Sequence, residues 1–174
     1  DTNWQASKNG SVHLATEIKV EGGDSVLFMT WGRRSGESPG QWHQYNNINQ
    51  NFTDMQNRLA DGYYHYAENM SAAGNTVWIA PVGLAFEHIH DYIVAGGVDP
   101  TASGNTFYNL YDSDGSHPSA SGSYLAACVL YATMTGNSPV GSNDTVSLSA
   151  ALKLELQQAA AATSADIGRQ ESAN

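Results

Sequence analysis

The fold is decided by a short apolar run, SVLFMTW, at residues 25–31. Its β-branched and aromatic members predict a strand that is buried on both faces. A second run of the same kind, TVWIAPV, occupies residues 76–82. Residues 48–73 between them carry apolar side chains at helical spacing, which indicates a long amphipathic helix. Two strands joined through a helix are expected to pair in parallel.

The remaining segments are predicted to be mainly helical. We expect helices at residues 12–21, 83–95, 119–135 and 147–163, with polar loops at 32–47 and 98–118. Ser119 is the predicted N-cap of the third of these helices, and Gly136 ends it. The order of elements predicts the α/β class, with a parallel sheet covered by helices on both faces. Two strands are too few for such a sheet to stand alone, so we expect part of the domain to lie elsewhere.

The composition narrows the possible partners. The 174 residues include 7 basic and 17 acidic side chains, giving a net charge of −10, so we expect no nucleic-acid partner. No stretch of 18 apolar residues occurs, and we expect no membrane partner. The few lysines and many small polar residues favour a secreted or periplasmic bacterial protein. Cys128 is the single cysteine and lies in an apolar helical run, where a buried small hydrophobe is expected.

The clearest chemical motif is DGSHPS, residues 114–119, directly ahead of a predicted helix. On a turn, the Asp114 carboxylate can reach Nδ1 of His117 and leave Nε2 free to face a nucleophile. Such a pair is the orienter and general base of a serine hydrolase. The same spacing also occurs in ordinary surface turns, so spacing alone only permits this role.

The wider context resembles a known family. Residues 110–141, LYDSDGSHPSASGSYLAACVLYATMTGNSPVG, are similar to the last conserved block of the SGNH (GDSL-type) hydrolases. VLFMTWGRR at 26–34 and WIAPVGLAF at 78–86 resemble the fourth- and fifth-strand segments of one bacterial subgroup. The resemblance extends over about residues 12–160.

This resemblance implies a three-layer α/β/α sandwich with a parallel sheet in flavodoxin-like order. Residues 1–163 would be the C-terminal portion of that single domain, without its N-terminal strands, and residues 164–174 a polar tail. The implied activity is ester hydrolysis with no cofactor and no metal, with His117 as base and Asp114 as its orienter. We expect an acyl or acetyl esterase that acts on acylated carbohydrate or another small ester.

The family's nucleophilic serine and oxyanion-hole donors precede the segments that match here. We therefore expect the serine on a segment outside this chain, with that N-terminal half of the domain as a partner. Gly23-Asp24-Ser25 imitates the nucleophile motif, but it precedes its strand, so Ser25 is expected at the edge opposite the active site. The alternative function is a non-catalytic module of the same fold that binds a glycan or a protein.

Other side chains are candidates for binding. Trp31, Arg33 and Trp42 surround the end of the first strand, where parallel sheets place their ligands, and we predict substrate contacts for them. A core position for Trp31, and structural ion pairs for Arg33 and Arg34, are open alternatives. The glycine-containing loop 32–47 is a candidate lid.

The sequence EHIHD at residues 87–91 looks like a metal cluster. On a helix, however, His88 and His90 point about 200° apart, which keeps them from sharing one ion. His65 and Glu68 lie one turn apart without further patterned carboxylates. A metal-dependent enzyme is therefore only a third hypothesis.

Overall fold

The structure is a computed structural model that describes residues 2–36 and 49–166. In these ranges the chain forms six helices and two strands. In chain order they are α1 (Thr2–Val20), β1 (Ser25–Phe28), α2 (Phe52–Ala72), β2 (Val77–Ala80), α3 (Val82–Ala95), α4 (Thr106–Asn109), α5 (Ala120–Thr135) and α6 (Ala150–Asp166). The α/β class predicted from the sequence is confirmed.

The two strands pair in parallel, as predicted. The register runs from Ser25 opposite Val77 to Phe28 opposite Ala80. Both strands are shorter than their apolar runs because Pro81 follows Ala80 directly. Pro81 is the N-cap of α3, with φ of −84° and ψ of 53°, so the chain leaves the extended conformation there. The carbonyl of Met29 accepts from the N–H of Gly83 at 3.0 Å, and the ladder ends.

Each face of the pair packs into a different apolar cluster. On one face, Leu27, Val77 and Ile79 contact the cluster formed with α1 and α2. On the other, Phe28 and Ala80 belong to the larger cluster built from α3, α5 and α6. This alternation follows from the two-residue period of a strand and explains why both runs are continuously apolar. Cys128 lies in the larger cluster and is 6% exposed, as expected for a buried thiol.

Helix boundaries follow capping residues more closely than apolar periodicity. Ser119 caps α5 by accepting hydrogen bonds from two N–H groups of its first turn, and Gly136 ends the helix with φ of 71°, which confirms both predictions. α2 begins at Phe52, not at residue 48, because the Asn51 side chain accepts from the N–H of Asp54. The predicted start of the last helix is likewise wrong: Ser149 precedes α6, and its hydroxyl accepts from an N–H of the first turn.

Two helical segments differ from the predictions. α1 extends from Thr2, well before residue 12, and Trp4 on this extension packs edge-on against Tyr66 of α2 at 4.9 Å. α4 lies inside the predicted loop 98–118, where Asn105 caps it and Phe107 anchors it in the core with no exposed area. Tertiary contacts thus stabilise both segments.

A polar network anchors the connection between α5 and α6. The hydroxyl of Tyr124 donates to Asp144 at 2.6 Å and accepts from the amide of Gln157 at 2.7 Å. Lys153 pairs with the same Asp144 at 2.6 Å. Burial, followed by the Asp144 hydrogen bond, raises the pKa of Tyr124 to about 12, so the phenol remains a donor at neutral pH. Among the described residues, no helix is both long enough and apolar enough to span a bilayer.

Candidate active site

Asp114 and His117 lie on a tight turn between α4 and α5. The turn is closed by hydrogen bonds across its base, from the N–H of Asp112 to the carbonyl of His117 (2.9 Å) and from the N–H of Ser119 to the carbonyl of Leu110 (2.9 Å). Gly115 sits at its tip with φ of 68°, a conformation that glycine adopts without strain. The DGSHPS motif therefore folds as a closed turn directly ahead of the N-terminus of α5.

The two side chains of the motif are in contact. Nδ1 of His117 lies 2.5 Å from Oδ2 of Asp114. The other carboxylate oxygen, Oδ1, accepts from the N–H groups of Ser116 and His117, both at 2.9 Å. A carboxylate beside Nδ1 favours the tautomer with the proton on that nitrogen, which leaves Nε2 as the acceptor. The His117 side chain is 78% exposed.

Electrostatics reinforce the pair. The hydrogen bond from His117, followed by those from the two backbone N–H groups, holds the pKa of Asp114 well below its usual range. The same hydrogen bond and the negative charge of Asp114 raise the pKa of His117, and Asp112 adds to the effect. The carboxylate is thus ionised at neutral pH and stabilises the protonated imidazole.

The turn rests against the segment that leaves β1. The N–H of Arg34 donates to the carbonyl of Gly115 at 2.9 Å, and the indole N–H of Trp31 donates to the carbonyl of Ser116 at 3.0 Å. The hydroxyl of Tyr111 also reaches the carbonyl of Gly32 at 2.7 Å. The acid–base pair therefore lies beyond the C-terminal end of β1, the edge where parallel sheets hold their active sites.

The predicted binding residues have different surroundings. Trp31 is half-buried and stacks on Phe86, with ring centroids 4.8 Å apart and planes 8° from parallel. Arg33 is half-buried, and its backbone N–H points at the sulfur of Met55, 3.3 Å away. Trp42 lies outside the described residues, as does most of the candidate lid. Substrate contact by these side chains stays a prediction.

The other candidates lie away from the pair. Ser25 is the first residue of β1, 7% exposed, so it lies at the opposite end of the strand from the turn, as expected for a decoy. His90 packs between the rings of Phe52 and Phe107, each 4.9 Å away. His88 is exposed instead and lines a surface groove of about 510 Å³ between α3 and α6. No group of three or more potential metal ligands occurs in the described part of the chain.

Sequence reasoning missed the buried Gln56. This side chain has no exposed area, and its Oε1 accepts from the N–H of Gly32 at 2.8 Å, so it ties α2 to the exit of β1. A Cβ on Gly83 would lie 2.3 Å from its Nε2, which leaves room only for glycine there. The sequence signal that could have revealed Gln56 is a polar residue on the apolar stripe of α2, one turn after Phe52. Tyr108, whose ring centroid lies 3.9 Å from the guanidinium carbon of Arg34, had no comparable signal in the sequence.

No protein-family model matches the sequence, and no curated protein matches it either. One solved structure is similar, that of a DUF4886 family protein from Bacteroides uniformis ATCC 8492, at 18% sequence identity and a TM-score of 0.61. The similarity covers 81% of this chain and 48% of that chain. The chain thus spans about half the length of this structural relative, and the likeness concerns the fold.

Proposed function

We propose that residues 1–163 are the C-terminal portion of an SGNH-type serine ester hydrolase domain, a three-layer α/β/α sandwich with flavodoxin-like strand order. The observation that carries the proposal is the Asp114–His117 pair. Its Nδ1–Oδ2 distance is 2.5 Å, its imidazole is largely exposed, and it lies at the active-site edge of a parallel sheet. The similarity of residues 26–34, 78–86 and 110–141 to SGNH segments supplies the reaction class.

In this proposal the nucleophile is a serine from a segment outside residues 1–174. Nε2 of His117 takes the hydroxyl proton while the serine oxygen attacks the ester carbonyl. The tetrahedral intermediate collapses, the C–O bond to the alcohol breaks, and the leaving alkoxide takes the proton from Nε2. Water then attacks the acyl-enzyme with His117 again as base, releasing the acid and restoring the serine. Asp114 orients the ring and stabilises the imidazolium at each stage.

The raised pKa of His117 sets the sign of the pH dependence. A general base must be neutral to accept a proton, so activity is lost as pH falls through the pKa of His117. The Asp114 hydrogen bond shifts that pKa upward from 6.5. We expect the acidic limb of kcat/KM above pH 6.5 and a lower midpoint when Asp114 is neutralised.

Among the described residues, no strand pairs with the second edge of β1, which supports an N-terminal half of the domain as partner. Ser25 and Met29 turn their N–H groups toward β2, so the peptide groups of the alternate residues Val26 and Phe28 face the other edge. Val26 is 39% exposed, unusual for a strand expected inside a sheet. Strands from the N-terminal half would cover this edge and carry the serine.

The family resemblance also supports the substrate class and compartment. We propose an acylated carbohydrate or other small ester as substrate and a secreted or periplasmic location. Trp31, Arg33 and Trp42 would contribute to the binding surface after β1.

The test is to express the chain joined to the residues encoded upstream of Asp1 and to assay hydrolysis of 4-nitrophenyl acetate. His117→Ala should reduce kcat by several orders of magnitude. His65→Ala is the matched control, because His65 also pairs with a carboxylate three residues away, at 3.2 Å on the surface of α2. Turnover that survives His117→Ala would refute the assignment.

A serine-directed fluorophosphonate distinguishes the non-catalytic alternative. Labelling of an upstream serine that depends on His117 supports the hydrolase. A folded, full-length protein with neither turnover nor labelling supports the module that binds a glycan or a protein.

A further inference from the structure

We propose that Trp31 and Arg34 are positioning residues that hold the Asp114–His117 turn through its two inner carbonyl groups. The catalytic meaning of this inference rests on the proposed function. Its structural content rests on hydrogen bonds and packing, which can be tested without any turnover.

Three peptide units separate the acid from the base, and the two nearer to His117 are each fixed at both ends. In the Gly115–Ser116 unit, the carbonyl accepts from the N–H of Arg34 while the N–H donates to Oδ1 of Asp114. In the Ser116–His117 unit, the carbonyl accepts from the indole of Trp31 while the N–H donates to the same Oδ1. With both planes fixed, Oδ2 is left facing Nδ1 of the imidazole.

The indole of Trp31 is a rigid donor. It stacks nearly parallel on Phe86, which has no exposed area, and meets Phe28 edge-on with centroids 6.3 Å apart. An indole held between two core rings cannot follow the turn if the turn moves. The indole therefore fixes the position of the Ser116 carbonyl relative to the hydrophobic core.

The guanidinium of Arg34 supports the tip of the turn. It lies 3.9 Å above the ring of Tyr108, and Nη1 points at the carbonyl of that residue at 3.4 Å. A Cβ on Gly115 would lie 3.3 Å from Nη2, so the glycine packs directly against the guanidinium. Arg34 thus joins β1, α4 and the turn, and its side chain holds its own N–H in place for the Gly115 carbonyl.

The experiment measures the imidazole pKa values of the full-length protein by NMR titration. Trp31→Phe retains an aromatic ring and removes the N–H donor. Arg34→Met retains an unbranched side chain and removes the guanidinium. Each variant should lower the pKa of His117 toward 6.5, because the hydrogen bond to Asp114 that raises it is formed for less of the time.

The direction of the change separates positioning from charge. The groups that act on His117 include Asp112 and Asp114, and removing a nearby positive charge would by itself raise the pKa of an imidazole. A fall in Arg34→Met therefore reports a loosened pair. Arg58→Met and Trp4→Phe, at surface positions of α2 and α1, are the matched controls and should leave His117 unchanged. A pKa of His117 that is unchanged or raised in both test variants overturns the proposal.

In the full-length enzyme, the same two variants should lower kcat by about 10- to 100-fold with a smaller effect on KM, because a displaced base loses its approach to the serine. The two proposals fail separately. A His117 pKa that both variants leave unchanged or raised refutes the positioning role alone, whereas turnover that is independent of His117 refutes the proposed function alone.

Discussion

Asp114→Asn provides the sharpest test of the acid–base pair. In the native turn, Oδ1 accepts from two backbone N–H groups at 2.9 Å, and these donors can pair only with an acceptor atom. The asparagine oxygen must therefore take that position, which places its NH₂ group against Nδ1 of His117. A donor at this position favours the tautomer in which Nδ1 is unprotonated and Nε2 carries the proton. The turn remains folded while the base faces the substrate with the wrong nitrogen protonated.

The change of the His117 tautomer determines the expected loss of kcat. A base whose Nε2 is already protonated cannot accept the hydroxyl proton, and such a reversal reduces kcat by about 10⁴-fold. The pKa of His117 should also fall, because both effects of Asp114 that raise it are removed. Nitrogen chemical shifts of the imidazole report tautomer and pKa together, and the esterase assay reports kcat, both in the full-length protein.

Asp112→Asn is the matched control, since it removes the same charge two residues away without touching the ring. It should lower the pKa of His117 only slightly and leave the tautomer unchanged. If Asp114→Asn retains the proton on Nδ1 and the native pKa, the side chains are not coupled as described, and the reasoning is refuted.

Three further substitutions test other parts of the structure. Ser119→Ala removes the N-cap of α5 and should cost about 1 kcal/mol, seen as a fall of about 2–4 °C in Tm; an unchanged Tm would contradict the capping role. Ser25→Ala removes a buried hydroxyl that has no partner among the described residues, so Tm should stay the same or rise and ester hydrolysis should persist. Lost hydrolysis in a folded protein would instead indicate that Ser25 is the nucleophile. Tyr124→Phe breaks the network between α5 and α6 and should lower the free energy of unfolding by about 1–3 kcal/mol in a denaturant titration. Tyr131 is 44% exposed, so Tyr131→Phe should lower it far less, and equal effects would contradict a stabilising role of the network.

Much of the fold could be predicted from local chemistry. The apolar runs at 25–31 and 76–82 predicted a parallel pair, and Ser119 and Gly136 predicted both ends of α5. The N-terminal part of α1 could not be predicted, because its sequence is polar and contains Gly10. Its helix depends on contacts such as Trp4 against Tyr66, which no local pattern reveals.

The candidate site likewise has a part that the sequence could predict and a part that it could not. Asp114 and His117 are three residues apart, so their contact could be predicted from turn geometry alone. The bond from Trp31 to Ser116 joins positions 85 residues apart, and only the assembled sheet brings them together. The sequence placed Trp31 and Arg34 at the right edge of the sheet, but it did not indicate that both contact the turn.

The two hydrogen bonds that Oδ1 accepts have a consequence for the proposed ester hydrolysis. The N–H groups of Gly115, Ser116 and His117 all point back into the turn, the first at the carbonyl of Asp112 and the other two at the side chain of Asp114. The negative charge that grows on the attacked carbonyl oxygen must therefore be met by donors from beyond the turn, as well as by the incoming serine. If the proposal is right, a catalytic centre divided in this manner is inactive until its two parts associate, so the appearance of hydrolysis would itself report their association.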